Sequence, residues 1–179
     1  IDGKEYIDGV SSMWCNIHGH RKKEIDDAIK RQLDKIAHTT LLGPSNIPAI
    51  ELAKKLVEVA PPGLKKVFYS DNGSTANEVA LKMAFQYWQH KGCSEKTQFV
   101  ALQYGYHGDT IATMGVGGID IYHKVFQPLY FKTHFAPAPY CYRCPLGKQD
   151  RDCTLQCLDE LENLLKNNAA QIAAMIMEP

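Results

Sequence analysis

A short apolar run, Val67-Phe68-Tyr69, meets the turn sequence Ser70-Asp71-Asn72-Gly73-Ser74-Thr75, and a strongly periodic segment over 75–90 follows at once. No other feature constrains the fold as much. A strand, a tight Gly-containing turn and a helix start crowd several backbone N–H groups around one point, and the helix dipole adds partial positive charge there. Such a turn suits a phosphate, although a Gly-Ser turn taken alone also serves simply to reverse the chain. Thr75-Ala76-Asn77-Glu78 reads as a capping box that starts the helix. Within the helix, Ala76, Val79, Ala80, Met83, Ala84 and Tyr87 form one apolar stripe, the spacing of a core-facing side rather than of a ligand surface.

A second turn, Gly105-Tyr106-His107-Gly108-Asp109-Thr110, follows the predicted strand at 97–102. Its two glycines allow a sharp bend, and they bracket an aromatic ring and an imidazole, followed by a carboxylate. In open α/β sheets ligands bind outside the carboxyl ends of the strands. Both turns stand at such ends, so parallel strands in one sheet would make them open on one side. A phosphate cradle and an aromatic platform would then face one crevice, which suits a flat, phosphorylated cofactor. On their own, Tyr106 and His107 are equally readable as a half-buried loop pair with satisfied polar atoms.

The rest of the chain alternates helix and strand. Residues 1–7 read as a short hairpin arm turning at Asp2-Gly3. Helical spacing of apolar residues covers 22–37 and 46–60, the latter ended by Pro61-Pro62-Gly63. Strand 66–70, helix 75–90 and strand 97–102 form a predicted right-handed βαβ unit. A helix over 154–168 leads to the uninterrupted apolar run 171–177, the pattern of a buried parallel strand. The fold class is therefore α/β. Twenty basic and twenty acidic residues cancel to a net charge of zero, and no Lys/Arg cluster marks a nucleic-acid face. No apolar stretch approaches the roughly 18–20 residues that span a membrane, and no signal peptide opens the chain; the cytoplasm is the expected location.

Cys141, Cys144, Cys153 and Cys157 are spaced C-x2-C-x8-C-x3-C, which could hold a structural zinc. The second pair opens a helix, however, and reduced packing thiols are the expected state. His18-x-His20 has a short metal-ligand spacing without a third ligand, and is read as hydrogen-bonded loop structure.

Asp8-Gly-Val-Ser-Ser-Met-Trp14, His18-Gly-His20, the run Ser70 to Ala84 and Gly105-Tyr-His-Gly-Asp-Thr110 together resemble the class III pyridoxal-phosphate aminotransferases, over essentially the whole chain from Asp2 to Pro179. The resemblance implies a type I PLP fold, with a mostly parallel sheet between helices, and a homodimer whose active site lies near the subunit interface. It makes residues 1–45 an arm and first helix lining that site, and 46–179 the first part of the large domain. The family's Schiff-base lysine, its pyridinium-pairing aspartate and its carboxylate-binding arginine lie downstream of residue 179. The chain is thus expected to be the N-terminal part of a longer enzyme, inactive alone.

Carried over by motif, Gly73 and Ser74 match the residues that hold the PLP phosphate, as the helix-terminus argument also has it. Tyr106 matches the aromatic residue that stacks on the pyridine ring and borders the substrate. His107 and Gly108 shape that turn, Asp109 matches a carboxylate of the substrate pocket, and Glu178 an acidic residue near the cofactor. Ser12, Met13 and Trp14 match the wall of the substrate tunnel. Met13 stands where relatives carry Trp, and a flexible thioether shapes such a wall differently. The implied chemistry is ping-pong transamination between a small-molecule amine donor and a keto acceptor. The resemblance is strongest to members that aminate 8-amino-7-oxononanoate in biotin synthesis, with S-adenosylmethionine or lysine as donor. The alternatives are another ω-aminotransferase of the class, acting on taurine, a diamine or a β-amino acid, and a non-catalytic α/β domain that keeps the phosphate turn.

Overall fold

The structure is a computed structural model and describes residues 2–147 and 153–178. Backbone contacts divide the chain into two units, Ile1–Val67 and Phe68–Pro179.

The first unit contains a short helical turn at Ser11–Trp14 and the longer helices α1 (Lys23–Leu33) and α2 (Ile47–Val59). The sequence predicts the second closely. Asn46 accepts a hydrogen bond from the N–H of Ala49 and Pro48 sits in the first turn, where its missing N–H costs nothing. The first is shorter than expected. It ends at Leu33 with Asp34 as cap, leaving Ile36 outside. Neither helix contains a fully buried residue. The expected hairpin arm is not found among the described residues. Residues 2–7 have no regular structure, and what remains of the turn is Gly3 at φ +73° beside a 3.2 Å bond from the N–H of Lys4 to Asp2. Ile1 lies outside the described residues.

The second unit is built on a parallel sheet of β1 (Gln98–Leu102), β2 (Thr133–Ala136) and β3 (Ile172–Met175), in the order β2-β1-β3. β1 is central, with Phe99, Val100 and Ala101 buried, as a strand covered on both faces must be. Its register pairs Leu102 with Ala136 on one side and Val100 with Met175 on the other. Around it lie α3 (Gly73–His90), α4 (Ile111–Gly115), α5 (Asp120–His123), a 3-10 turn at Lys124–Leu129 and α6 (Gln156–Asn168). Leu81, Phe99, Ala101, Val116 and Ala173 form the core, with Ala84, Trp88 and Phe131 packed against it. The Trp88 indole N–H donates to the carbonyl of Ala173 at 2.7 Å, tying α3 to β3.

Three expectations fail here. Residues 66–70 are not a strand among the described residues. An apolar triplet becomes a strand only where a neighbour takes its ladder bonds, and both sides of β1 are already taken by β2 and β3. The parallel crossovers run from β1 to β2 and through α6 to β3, not from 66–70 to β1. The apolar stripe of α3 is also rotated. Ala76, Ala80, Met83 and Tyr87 are exposed and Val79 and Ala84 half-buried, while the inward side runs Asn77, Glu78, Leu81, Ala84, Trp88. Two polar residues occupy that side because they bind the 105–112 segment, which disguised it. Finally, the capping box is one turn earlier. Asn72 accepts from the N–H of Thr75 at 3.0 Å and Thr75 Oγ1 accepts from the N–H of Asn72 at 3.1 Å. Glu78 is thereby released for other partners.

Candidate functional site

The two turns singled out in the sequence are in contact. At Gly108 the backbone lies at φ +128°, and a Cβ there would stand 2.7 Å from Cβ and 2.8 Å from Cα of Ser74. Only glycine allows both the conformation and the approach. Hydrogen bonds seal the junction. The N–H of Asp109 donates to Ser74 Oγ at 3.3 Å and the Asn77 amide to the carbonyl of His107 at 2.9 Å. Glu78 accepts from Thr110 Oγ1 and from the N–H of Ala112. The first two turns of α3 thus form the bed on which 107–112 lies.

Gly73 and Ser74 are the first two residues of α3, so their N–H groups have no partner within the helix. With Asn72 capping Thr75, those two donors stand at the positive end of an 18-residue helix, with the Ser74 hydroxyl beside them. Nothing lies within 4 Å of where a Cβ on Gly73 would stand. Because Ser74 Oγ accepts from Asp109, its own proton is left to donate. This donor set fits a phosphate.

Tyr106 is held at both ends. Its N–H donates to Glu178 Oε2 at 3.2 Å and its phenol to Asp109 Oδ2 at 2.7 Å. The bond to Asp109, and then burial, push the phenol above its ordinary value, so it stays a protonated donor. The ring remains 38% exposed, with a face available for contact. His107 is only 6% exposed, and its Nε2 has no hydrogen-bond partner. Burial lowers its imidazole below the ordinary value, with the Glu178 carboxylate pulling the other way. It packs under the turn, close to where a Cβ on Gly105 would be. A cleft of about 620 Å³ opens at the carboxyl ends of all three strands, lined among others by Gly105, Tyr140, Arg143 and Glu178. This is where ligands of open α/β sheets bind.

In the second unit, therefore, Gly73, Ser74, Tyr106, His107, Asp109 and Glu178 come together. Met13 and Trp14 belong to the first unit. Both are largely exposed there, on a segment whose residues Ser11, Ser12, Met13 and Trp14 all have positive φ, from 49° to 71°. Asp8 holds this turn by accepting from the N–H of Ser12 at 2.9 Å and its hydroxyl at 2.8 Å. His20 Nε2 lies 2.9 Å from the same carboxylate, and Asn16 Nδ2 lies 3.1 Å from His20 Nδ1. His20 is thus part of a hydrogen-bonded loop. None of the four clustered cysteines is in a disulfide. Among the described residues they do not gather, with each other or with His, Asp or Glu, into a group of three or more able to hold a metal. Residues 148–152, between the two pairs, lie outside the described residues. No helix among the described residues is long and apolar enough to cross a membrane.

Three residues escaped the sequence reading. Asn77 and Glu78 were read as helix start, yet they bind the second turn. His123 drew no reading from the sequence, yet it is buried beside Tyr106.

Comparison with known proteins places the chain in a family. The chain is 54% identical over 179 residues to an adenosylmethionine-8-amino-7-oxononanoate aminotransferase of Geobacter sulfurreducens, a match covering 99% of this chain and 40% of that protein. It is 47% identical to the protein of the same name from Methanocaldococcus jannaschii, again over 99% of this chain and 40% of the relative. The crystal structure of the enzyme of that name from the latter organism superposes with a TM-score of 0.87 at 46% identity, covering 98% of this chain and 37% of that one. A PLP-bound amine transaminase from an uncultivated Pseudomonas species superposes with a TM-score of 0.89 at 35% identity, over 100% of this chain and 41% of that one. The chain thus spans about 40% of the length of these curated relatives, and its fold is part of the type I fold of PLP-dependent transaminases. The aminotransferase class-III family model matches residues 1–179, and the chain belongs to that family.

Proposed function

We propose that the protein containing this chain is a PLP-dependent aminotransferase that converts 8-amino-7-oxononanoate to 7,8-diaminononanoate in biotin biosynthesis. S-adenosylmethionine or lysine would be the amine donor. The observation that carries this reading is the seating of the 105–110 turn on the N-terminus of α3, which sets free phosphate donors beside a braced aromatic ring. The names of the relatives described above narrow the substrate.

Bound pyridoxal phosphate would supply an electron-withdrawing ring that takes up the charge left when the donor loses a proton. The residues of this chain bind and orient. The N–H groups of Gly73 and Ser74 and the Ser74 hydroxyl would hold the phosphate. The Tyr106 face would lie against the ring and fix its plane, and Glu178 keeps Tyr106 in place from its backbone side. Asp109 anchors the phenol and would border the substrate pocket, with Met13 and Trp14 forming part of the substrate wall. A homodimer and a cytoplasmic location go with this reading.

The test is the visible absorption spectrum of the full-length protein incubated with PLP, before and after adding amine donors. A yellow band bleached by S-adenosylmethionine or by lysine supports the proposal and names the donor. The likeness to an amine transaminase favours one rival, another ω-aminotransferase of the class; a band bleached only by diamines, taurine or β-amino acids would select it. Absence of any band would overturn the PLP assignment and leave a non-catalytic phosphate-binding domain.

A further inference from the structure

His123 is 3% exposed, and neither ring nitrogen has a hydrogen-bond partner. A buried imidazole without partners is costly and calls for an explanation. The fold goes out of its way to seat it. A Cβ on Gly117 would lie 2.6 Å from His123 Nδ1, so glycine makes the room for the ring. The Tyr130 hydroxyl donates to the carbonyl of His123 at 2.9 Å and fixes its backbone. The ring then faces the back of Tyr106, with centroids 6.3 Å apart and planes 22° from parallel. Its Nε2 lies 3.6 Å from Asp109 Oδ1, within ion-pair range and slightly beyond a hydrogen bond. The other oxygen of that carboxylate accepts from the Tyr106 phenol.

We propose that His123 is a positioning residue of the site: from behind Tyr106 it holds the Asp109 carboxylate, and through that carboxylate it sets the tilt of the Tyr106 ring. The inference deepens the reading of Tyr106 as a cofactor platform and rests on it. A small closing movement turns the 3.6 Å approach into an Nε2–H···O bond, so Asp109 would be gripped on both oxygens. Asp109 needs that grip because its side chain is otherwise exposed, and an exposed carboxylate rotates freely unless both oxygens are engaged.

The experiment uses the full-length enzyme, PLP-loaded, with 15N-labelled histidine. The His123 Nε2 resonance is identified by its loss in His123→Gln, and it is expected to shift in Asp109→Asn. An unmoved resonance overturns the proposal, whatever the activity. In turnover, His123→Phe keeps a ring but no N–H, and is expected to lower kcat about tenfold with KM for the keto acceptor within about twofold, the cost of a small misorientation. His123→Gln, whose amide N–H reaches the same place, should recover most of that loss. His123→Phe combined with Asp109→Asn should be no slower than Asp109→Asn alone. Losses that multiply in the double variant, or a glutamine that rescues nothing, would equally overturn it. A wild-type protein with no PLP band but with the resonance shift intact would sink the aminotransferase reading and leave the His123–Asp109 contact standing. Should His123→Phe fail to fold, the resonance in Asp109→Asn decides alone.

Discussion

Residues 11–14 carry four consecutive left-handed backbone conformations on ordinary side chains, whereas 105–110 carries one, at Gly108. Left-handed geometry costs about 1–2 kcal/mol for each non-glycine residue, so the first segment is strained several times over and the second hardly at all. They are held differently too. Asp8, Ser12, Asn16 and His20 hold the first through exposed polar contacts. The second is locked to the start of α3 by a close backbone approach and by half-buried bonds from Asn77 and to Glu78. The difference teaches where adaptability is stored. Under the proposed function, the phosphate and ring plane would be the same in every relative, and the region that would hold them is the closely packed one. Under the same proposal, the wall that would suit a particular substrate lies on a strained segment pinned by replaceable contacts.

The largest effect should come from breaking the rigid side. Gly108→Ala adds a Cβ at φ +128° against Cα and Cβ of Ser74. Backbone cannot yield as a flexible side chain can, and a loss on the order of 3 kcal/mol is expected, read by denaturant unfolding of the full-length protein. PLP binding should go with it. Wild-type stability in this variant would mean that the two turns are not interlocked. Tyr106→Ala comes next. Its fold should survive, with PLP affinity falling about tenfold, since ring stacking contributes ~1 kcal/mol beyond area burial; a PLP titration with unchanged affinity would remove the platform. Asn72→Ala should cost about 1 kcal/mol of stability through the lost cap. Ser74→Ala should lower PLP affinity a fewfold and leave the melting temperature nearly unchanged.

The sequence makes the rigid side legible because its signals are local. A glycine turn before a periodic helix, and a Gly-x-x-Gly turn after an apolar strand, are patterns of neighbouring residues, and both fall where the structure places them. Helices α2, α3 and α6 and strands β1 and β3 are legible for the same reason. The rest depends on partners distant in the chain. Residues 66–70 have strand composition but form no strand among the described residues, and Thr133–Ala136 became a strand because β1 offers it a ladder. The inward side of α3 was misread because Asn77 and Glu78 serve the second turn thirty residues on. The same holds for His123, whose meaning comes only from Asp109 and Tyr106. The left-handed turn at 11–14 leaves no mark in the sequence at all, since no glycine stands in it.

Acid separates the two regions most finely. Asp8 is held at about 2, below its ordinary 3.8, first by the N–H of Ser12, then by the Ser12 hydroxyl and His20. The folded state therefore binds fewer protons there than the unfolded chain. What Asp8 contributes is complete above 3.8 and disappears as pH falls through about 2. His107 is also lowered, by burial, from an ordinary 6.5. Its neutral form belongs to the fold, so its contribution is complete above 6.5 and shrinks as pH falls from there toward the lowered value. Between pH 7 and pH 5, then, the stiffer turn should be the one that loosens. Backbone hydrogen exchange, corrected for the intrinsic pH dependence, should rise a fewfold over 105–110 and remain constant over 8–20. Equal loosening in both segments would mean that polar contacts around Asp8 do not hold the strained turn, and that the contrast between a pinned wall and a packed cradle is wrong.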